Sequence, residues 1–256
     1  MVRLKTEEEI KKLRQGGKIL AAILKEVATR VATGVKTREL NDLVNELCER
    51  NKVIPVFLNY QPDGADRPYP ASICISINDE IVHGIPNEGE ERILKEGDVV
   101  SLDMGISHEG MIVDSAITVG VGKIDKSAEK LLAAGKEALA AGIKAAKAGS
   151  RTGDIGAAIE AVAKRHGFTL PEELGGHGVG FAVHEDPFIP NFGKPGEGVI
   201  LKSGMVLAIE PMLNEGSKET VVDKDGYTFR TKDGKRSCHF EHTIVVTKNQ
   251  PEILTI

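Results

Sequence analysis

The chain has 256 residues, of which 41% are hydrophobic and 28% charged, and its net charge is −5. That composition fits a globular protein and gives no electrostatic footprint for nucleic acid. No run of eighteen apolar residues occurs, the stretch Met1–Glu9 has no apolar signal core, and Cys48, Cys74 and Cys238 are too few and too scattered for a disulfide framework or a zinc pair. A cytoplasmic protein with a single domain over 1–256 and no membrane association is the expectation.

Residues 6–32 read as an amphipathic helix: Thr6 and Glu9 form a capping box, Ile10, Leu13, Leu20, Leu24 and Val27 make the apolar stripe, and Gly34 ends it. A second helix is expected from about Thr37 to Asn51. The segment from Gln61 to Pro70 is a loop, punctuated by Pro and Gly. From Ala71 to Asn78, Ile73, Ile75 and Ile77 alternate as in a strand. Val99 to Ile117 reads as a hairpin around His108-Glu109-Gly110. Helices follow over about Lys126–Ala148 and Gly153–His166, the latter stopped by Gly167. The remainder is strand and turn, at Gly178–His184, Gly204–Leu213, Glu219–Asp223, Tyr227–Thr231 and Ser237–Thr247. Helices and strands cluster rather than alternate, which predicts an α+β fold with a largely antiparallel sheet.

The hairpin carries two aspartates, Asp103 and Asp114, eleven residues apart. A two-residue turn at His108-Glu109 would place them directly opposite, with Cβ atoms roughly 4.5–5.5 Å apart on one face. Like charges there repel, and two divalent ions, roughly 3.5–4 Å apart in such sites, are an economical compensation. Two unrelated acids on a solvated face are the bland alternative. Further along, glycines surround His177 in Gly175-Gly176-His177-Gly178, and His184 follows seven residues later. An apolar strand holds Glu210, which would be costly in a core unless paired, though it could equally guard a sheet edge. Glu241 opens a strand in which Phe240, His242, Ile244 and Val246 share one face, leaving Glu241 and Thr243 on the other. His83 lies just after a strand, where a histidine is more often structural. Taken together, Asp103, Asp114, His177, Glu210 and Glu241 offer four carboxylates and one imidazole, a donor set suited to Mn, Fe, Co or Zn. Without metal, such a buried cluster would raise its own pKa values.

These segments resemble, in order and over nearly the whole chain, the type I methionine aminopeptidases of the pita-bread superfamily, which also holds Xaa-Pro peptidases and creatinases. The matching pieces are Asn78–Pro86, the Asp103/Asp114 pair, Gly176–Gly180, His184–Pro187, Ile209–Met212 and Glu241–Thr247. The resemblance implies a curved, largely antiparallel sheet backed by helices, with a metal site on the concave face. It implies two divalent ions held by Asp103, Asp114, His177, Glu210 and Glu241, with Asp114 and Glu241 serving both, and water activated to attack the first peptide bond. Glu210 would also shuttle the proton, His184 would stabilise the carbonyl oxygen, and His83 would assist the leaving amine. The implied substrate is the N-terminal Met of nascent polypeptides with a small second residue; the implied partners are that terminus and, transiently, the ribosome, with the enzyme acting as a monomer.

Three features separate this family from its relatives. Only 102 residues precede Asp103, which leaves no room there for the extra domain of Xaa-Pro peptidases and creatinases. Gly84-Ile85-Pro86 after His83 and His242-Thr243 after Glu241 are closer to methionine aminopeptidases. Only 26 positions separate His184 from Glu210, too few for the type II subdomain. Tyr69, Cys74 and Tyr227 fall where substrate-pocket residues are expected, against an alternative of ordinary packing. The loop Gln61–Arg67 and Val183, commonly Phe, depart from the family pattern. Asn78 and Ser237 match a monovalent-cation site of some relatives, although Asn78 also suits a turn. The competing readings are a Xaa-Pro aminopeptidase or dipeptidase, and a non-catalytic pita-bread binding protein.

Overall fold

The computed structural model describes residues 2–62 and 64–256. In chain order the elements are α1 (Glu7–Thr29), α2 (Thr37–Asn51), β1 (Ile54–Pro55), β2 (Cys74–Ile77), β3 (Glu80–Val82), β4 (Val99–His108), β5 (Met111–Gly120), α3 (Lys126–Ala145) and α4 (Thr152–His166). They continue with β6 (Gly175–Gly178), β7 (Glu185–Pro190), β8 (Val206–Ile209), β9 (Met212–Asn214), β10 (Thr220–Val222), β11 (Phe229–Thr231), β12 (Ser237–His239), β13 (Glu241–Val245) and β14 (Glu252–Ile253). No helix among the described residues is long and apolar enough to cross a membrane.

The helices form where capping and periodicity place them. Thr6 caps α1 and exchanges hydrogen bonds with Glu9 in the expected capping box. The helix stops at Arg30, four residues before Gly34. Helix α2 matches its expected span, and α4 ends on the left-handed Gly167. Helix α3 stops at Ala145 rather than Ala148. Gly17 lets α1 approach the C-terminal segment, because a Cβ there would lie 2.0 Å from the Leu254 carbonyl oxygen. Gly17→Ala is therefore expected to destabilise the protein by roughly 1–3 kcal/mol, read as a lower midpoint in urea denaturation.

The main sheet runs β1-β4-β5-β13-β8-β6-β7, with β2 also on β4 and β14 also on β13. Every pairing in it is antiparallel. Successive side chains alternate between its faces. Leu102, Met104 and Ile106 of β4 and Val113 of β5 pack with Leu13, Leu20 and Leu24 of α1. Leu207 and Ile209 of β8 and Ile244 of β13 pack with Leu131 of α3 and Ile159 of α4. Helices thus cover one face through both halves of the sheet, and the other face is left for Asp103, Asp114 and Glu241.

The structure corrects three strand expectations. The hairpin turn is Glu109-Gly110, not His108-Glu109: His108 pairs with Met111, and the two turn residues have φ of 49° and 80°. A two-residue turn of this hand needs positive φ at both central positions, which glycine accepts most readily. Asp103 consequently faces Ala116, and Asp114 faces Gly105, instead of each other. Moving the turn by one residue shifts the register by two, so both aspartates still share a face. Gly178–His184 is not a strand; β6 ends at Gly178, and Gly180 turns the chain with φ of 137°. The Glu185 carboxylate accepts the Phe181 and Ala182 N–H groups and closes that turn. Finally, the last long strands each break in two, at Glu210-Pro211 and at Phe240. Proline has no N–H for the ladder, and beyond the break β9 and β12 leave the main sheet to pair with each other.

Candidate metal centre

The register sets four of the five potential ligands in two neighbouring rows. One row crosses the sheet as Cys74, Asp103, Ala116 and Glu241. The next contains Gly105 and Asp114, then Thr243, whose hydroxyl accepts the Asp114 N–H at 2.9 Å and donates to the Asp114 carbonyl at 2.7 Å. It continues through Ala208 to His177. Ala116 and Ala208 are the spacers: small side chains between ligands leave the volume in which the longer ones converge. Glu210 lies one residue past the end of β8, at the fork where β9 and β12 peel away. Strand β8 runs between β13 and β6, so Glu210 does not guard a sheet edge.

Ligand atoms of Asp114, His177 and Glu241 all lie within 4.8 Å of one another. Asp103, Asp114 and Glu241 are buried, and Glu241 Oε1 has no hydrogen-bond partner among the described residues. Such a group is costly to bury unless something pairs with it. His177 Nδ1–H donates to the Gly178 carbonyl at 2.9 Å, which leaves Nε2 facing the cluster, 3.3 Å from Glu210 Oε1. This is the usual way a second hydrogen bond orients a metal-binding imidazole. Orphaned oxygen donors, an oriented imidazole and a concentration of negative charge all fit divalent metal.

The electrostatics agree. Burial, then the charges of Asp114 and Glu210, hold the Asp103 carboxyl well above the usual range. Burial, then Asp114, Glu210 and Asp103, do the same to Glu241. Burial raises Asp114 to about 6, with the charge of His177 opposing. Burial alone would raise Glu210, but hydrogen bonds and charge from His177 and His239 outweigh it and hold the group at about 2.

These residues floor a cavity of about 630 Å³, and the same cavity reaches Tyr69, Cys74, His83, His184 and Tyr227. Tyr69 donates its hydroxyl to the Gly84 carbonyl at 2.9 Å and stands edge-on to Tyr227, with ring centroids 5.2 Å apart. Burial, chiefly, brings His83 and His184 each down to about 4, so both rings are neutral near pH 7. His83 has φ of 61°, an uncommon backbone for a residue with a side chain. The His184 ring stands edge-on to His177 with centroids 4.6 Å apart, and its Nδ1 is 2.9 Å from the Tyr60 hydroxyl.

Asn78 and Ser237 lie together but outside that cavity. The Ser237 N–H donates to the Asn78 carbonyl at 2.8 Å. The Asn78 carboxamide donates to Asp98 at 2.9 Å and accepts the Val99 N–H at 3.0 Å, and its φ is 56°. These are the contacts of a turn.

Three cavity or near-cavity residues escaped the sequence reading. Phe57 and Tyr60 line the cavity from just before the loop at Gln61, the segment that departs from the family pattern. His239 is buried, with Nε2 3.4 Å from Glu210 Oε2. It stands two residues before Glu241, so strand alternation carried back past Phe240 would have placed it on the ligand face.

Comparison with known proteins gives the same direction. The family model described as metallopeptidase family M24 matches residues 11–248. A methionine aminopeptidase of Aquifex aeolicus is 47% identical, over 99% of this chain and 98% of its own length. One from Bacillus subtilis, methionine aminopeptidase 1, is 40% identical, over 100% and 99%. The crystal structure of methionine aminopeptidase from Thermotoga maritima superposes with a TM-score of 0.94 at 42% identity, covering 100% of this chain and 99% of that one. The prolidase of Pyrococcus horikoshii, at 23% identity and a TM-score of 0.74, shares the fold, and this chain covers 63% of it.

Proposed function

Because the chain belongs to metallopeptidase family M24, we propose that it is a methionine aminopeptidase, removing the initiator methionine from polypeptides whose second residue is small. The observation that carries this reading is one cavity with a carboxylate–imidazole floor and a wall of Tyr69, Cys74 and Tyr227. The floor suits a cluster of divalent metal and the substrate's α-amino group. The wall suits an unbranched apolar side chain.

Asp103, Asp114, His177, Glu210 and Glu241 would hold two divalent ions, whose four carboxylates and one imidazole accept Mn, Fe, Co or Zn. When bound, the ions supply an acidified water and a polarised carbonyl. Glu210, ionised between His177 and His239, takes the proton from the attacking water and returns it to the departing amine. The Tyr60 hydroxyl lies 2.9 Å from His184 Nδ1, and in the tautomer in which it donates there the ring proton is on Nε2. His184 then donates to the scissile carbonyl oxygen as it gains charge, as in an oxyanion hole. His83, neutral and facing the same cavity, contacts the peptide nitrogen and assists the leaving amine. The setting proposed is the cytoplasm, where nascent chains present their N-terminal methionine.

A peptide panel tests the reading. Met-Ala-Ser is expected to release methionine when Mn, Fe, Co or Zn is supplied, Met-Leu-Ser to release it far more slowly, and Xaa-Pro peptides to remain intact. Turnover of Xaa-Pro peptides without release from Met-Ala-Ser would identify a Xaa-Pro peptidase instead. No turnover with any of the four metals would leave a binding protein.

A further inference from the structure

The loop that presents His184 is held from behind by the N-terminal segment. Lys5 is only 6% exposed, although lysine is rarely buried unless paired. Its Nζ lies 2.7 Å from Glu185 Oε2, while Oε1 of the same carboxylate accepts the Phe181 and Ala182 N–H groups. The Lys5 N–H donates to the Gly204 carbonyl at 2.8 Å, fixing the lysine to the start of the β8 region. Gly180 makes room for the lysine stem, because a Cβ there would lie 2.5 Å from Lys5 Cε. The Arg3 guanidinium covers the Phe181 ring at 3.6 Å from its centroid.

On the cavity side the loop is anchored by Val183, buried in the core just before His184. The His184 side chain is exposed to the cavity and meets only Tyr60 and the edge of His177 among the contacts described above. Its position follows from its backbone, which is tied by Val183 in the core before it and by Glu185 after it. Resting on the aminopeptidase reading above, we propose that Lys5 is a positioning residue for His184: the buried lysine, itself outside the cavity, grips Glu185 at the cavity wall and so sets where the His184 imidazole meets the scissile carbonyl. A simple anchor for the N-terminus would need neither a buried lysine nor the second carboxylate oxygen closing the loop.

The test is a cycle of variants with steady-state kinetics on Met-Ala-Ser. Lys5→Met is expected to lower kcat about 10–100-fold, since misplacement by about 1 Å can cost 10²-fold. KM should stay within about twofold, because the lost interaction belongs to the transition state. Metal content should be unchanged, Glu185→Gln should reproduce the fall, and Lys5→Arg should restore most of it. In a His184→Ala background, Lys5→Met should cost less than about twofold further, the non-additivity of residues acting as one unit. Glu185→Gln carries the same cycle if Lys5→Met fails to fold. Losses that multiply in full in both backgrounds, or an unchanged kcat in a wild-type-active enzyme, overturn the positioning role alone. A wild-type enzyme that releases no methionine overturns the aminopeptidase reading, and the positioning role with it.

Discussion

Asp114→Asn is expected to lower methionine release by more than about 100-fold, the upper end of what the loss of an outer-shell partner costs a metal site. The change is minimal in shape. Asparagine keeps an oxygen for the Ser115 N–H, which the aspartate now accepts at 2.9 Å, and the Thr243 hydroxyl bonds only to the residue-114 backbone. What disappears is a negative charge beside His177 and Glu241 in the tightest part of the cluster. The metal-free variant should therefore melt no lower than the metal-free wild type, since the substitution relieves repulsion among Asp103, Glu210 and Glu241. Loss of turnover with loss of folding would indicate a structural role for Asp114. Retained turnover would remove it from the ligand set.

Stripping the metal should have the second large effect, on stability and on its pH dependence. A ligand at about 100 times its Kd stabilises the native state by about 2.7 kcal/mol. For a chain of this size that corresponds to a fall of roughly 5–10 °C in melting temperature on chelation. The direction of the pH dependence follows from the carboxylates. Asp103 and Glu241 have folded pKa values held well above their unfolded ones by burial and mutual charge. Their contribution is fully present below the unfolded value and is lost as pH rises through the folded one. Once His83 and His184 are neutral in both folded and unfolded chains, the metal-free protein should lose stability as pH rises, until both carboxyls have ionised. Metal binding must displace those protons, so affinity should strengthen over the same interval. Calorimetric melts of the metal-free and metal-loaded enzyme should thus diverge with pH, and metal titration in weak buffer should release protons. Parallel melting curves, or no proton release, would show that the carboxylates are already ionised without metal.

Local chemistry made much of the fold legible. The Thr6/Glu9 capping box and the apolar stripe located α1, and Gly167 marked the end of α4, because caps and helical periodicity are written within a few residues. The shared face of Asp103 and Asp114 survived an error in the turn, because parity is insensitive to a register shift of two. The breaks at Pro211 and Phe240 were harder to read. An apolar run does not say where a strand changes partners, and the β9–β12 pairing joins segments distant from the hairpin that carries the aspartates. The mistaken strand at Gly178–His184 has the same origin: what turns the chain there is Glu185 together with Lys5, 180 residues away. His239 lay within the expected strand Ser237–Thr247, but its place beside Glu210 depends on how β12 folds back after the break at Phe240.

The seam between β5 and β13 is paired at only two positions, Glu241 with Ala116 and His242 with Ser115. Hydroxyls extend that short ladder: Thr243 bonds to the Asp114 backbone, Ser115 to the Glu241 carbonyl and Thr118 to the His239 backbone. A slip of one residue would carry Glu241 to the helix-covered face and bring His242 into the cluster, because the side-chain period is two. A slip of two would keep the face but leave Glu241 facing the wrong row. Only one alignment brings Glu241 beside Asp114 and His177, so a divalent ion bound there would favour that alignment over its neighbours. A protein matured without metal is then expected to contain more misregistered molecules than one matured with it, read as extra species in native electrophoresis.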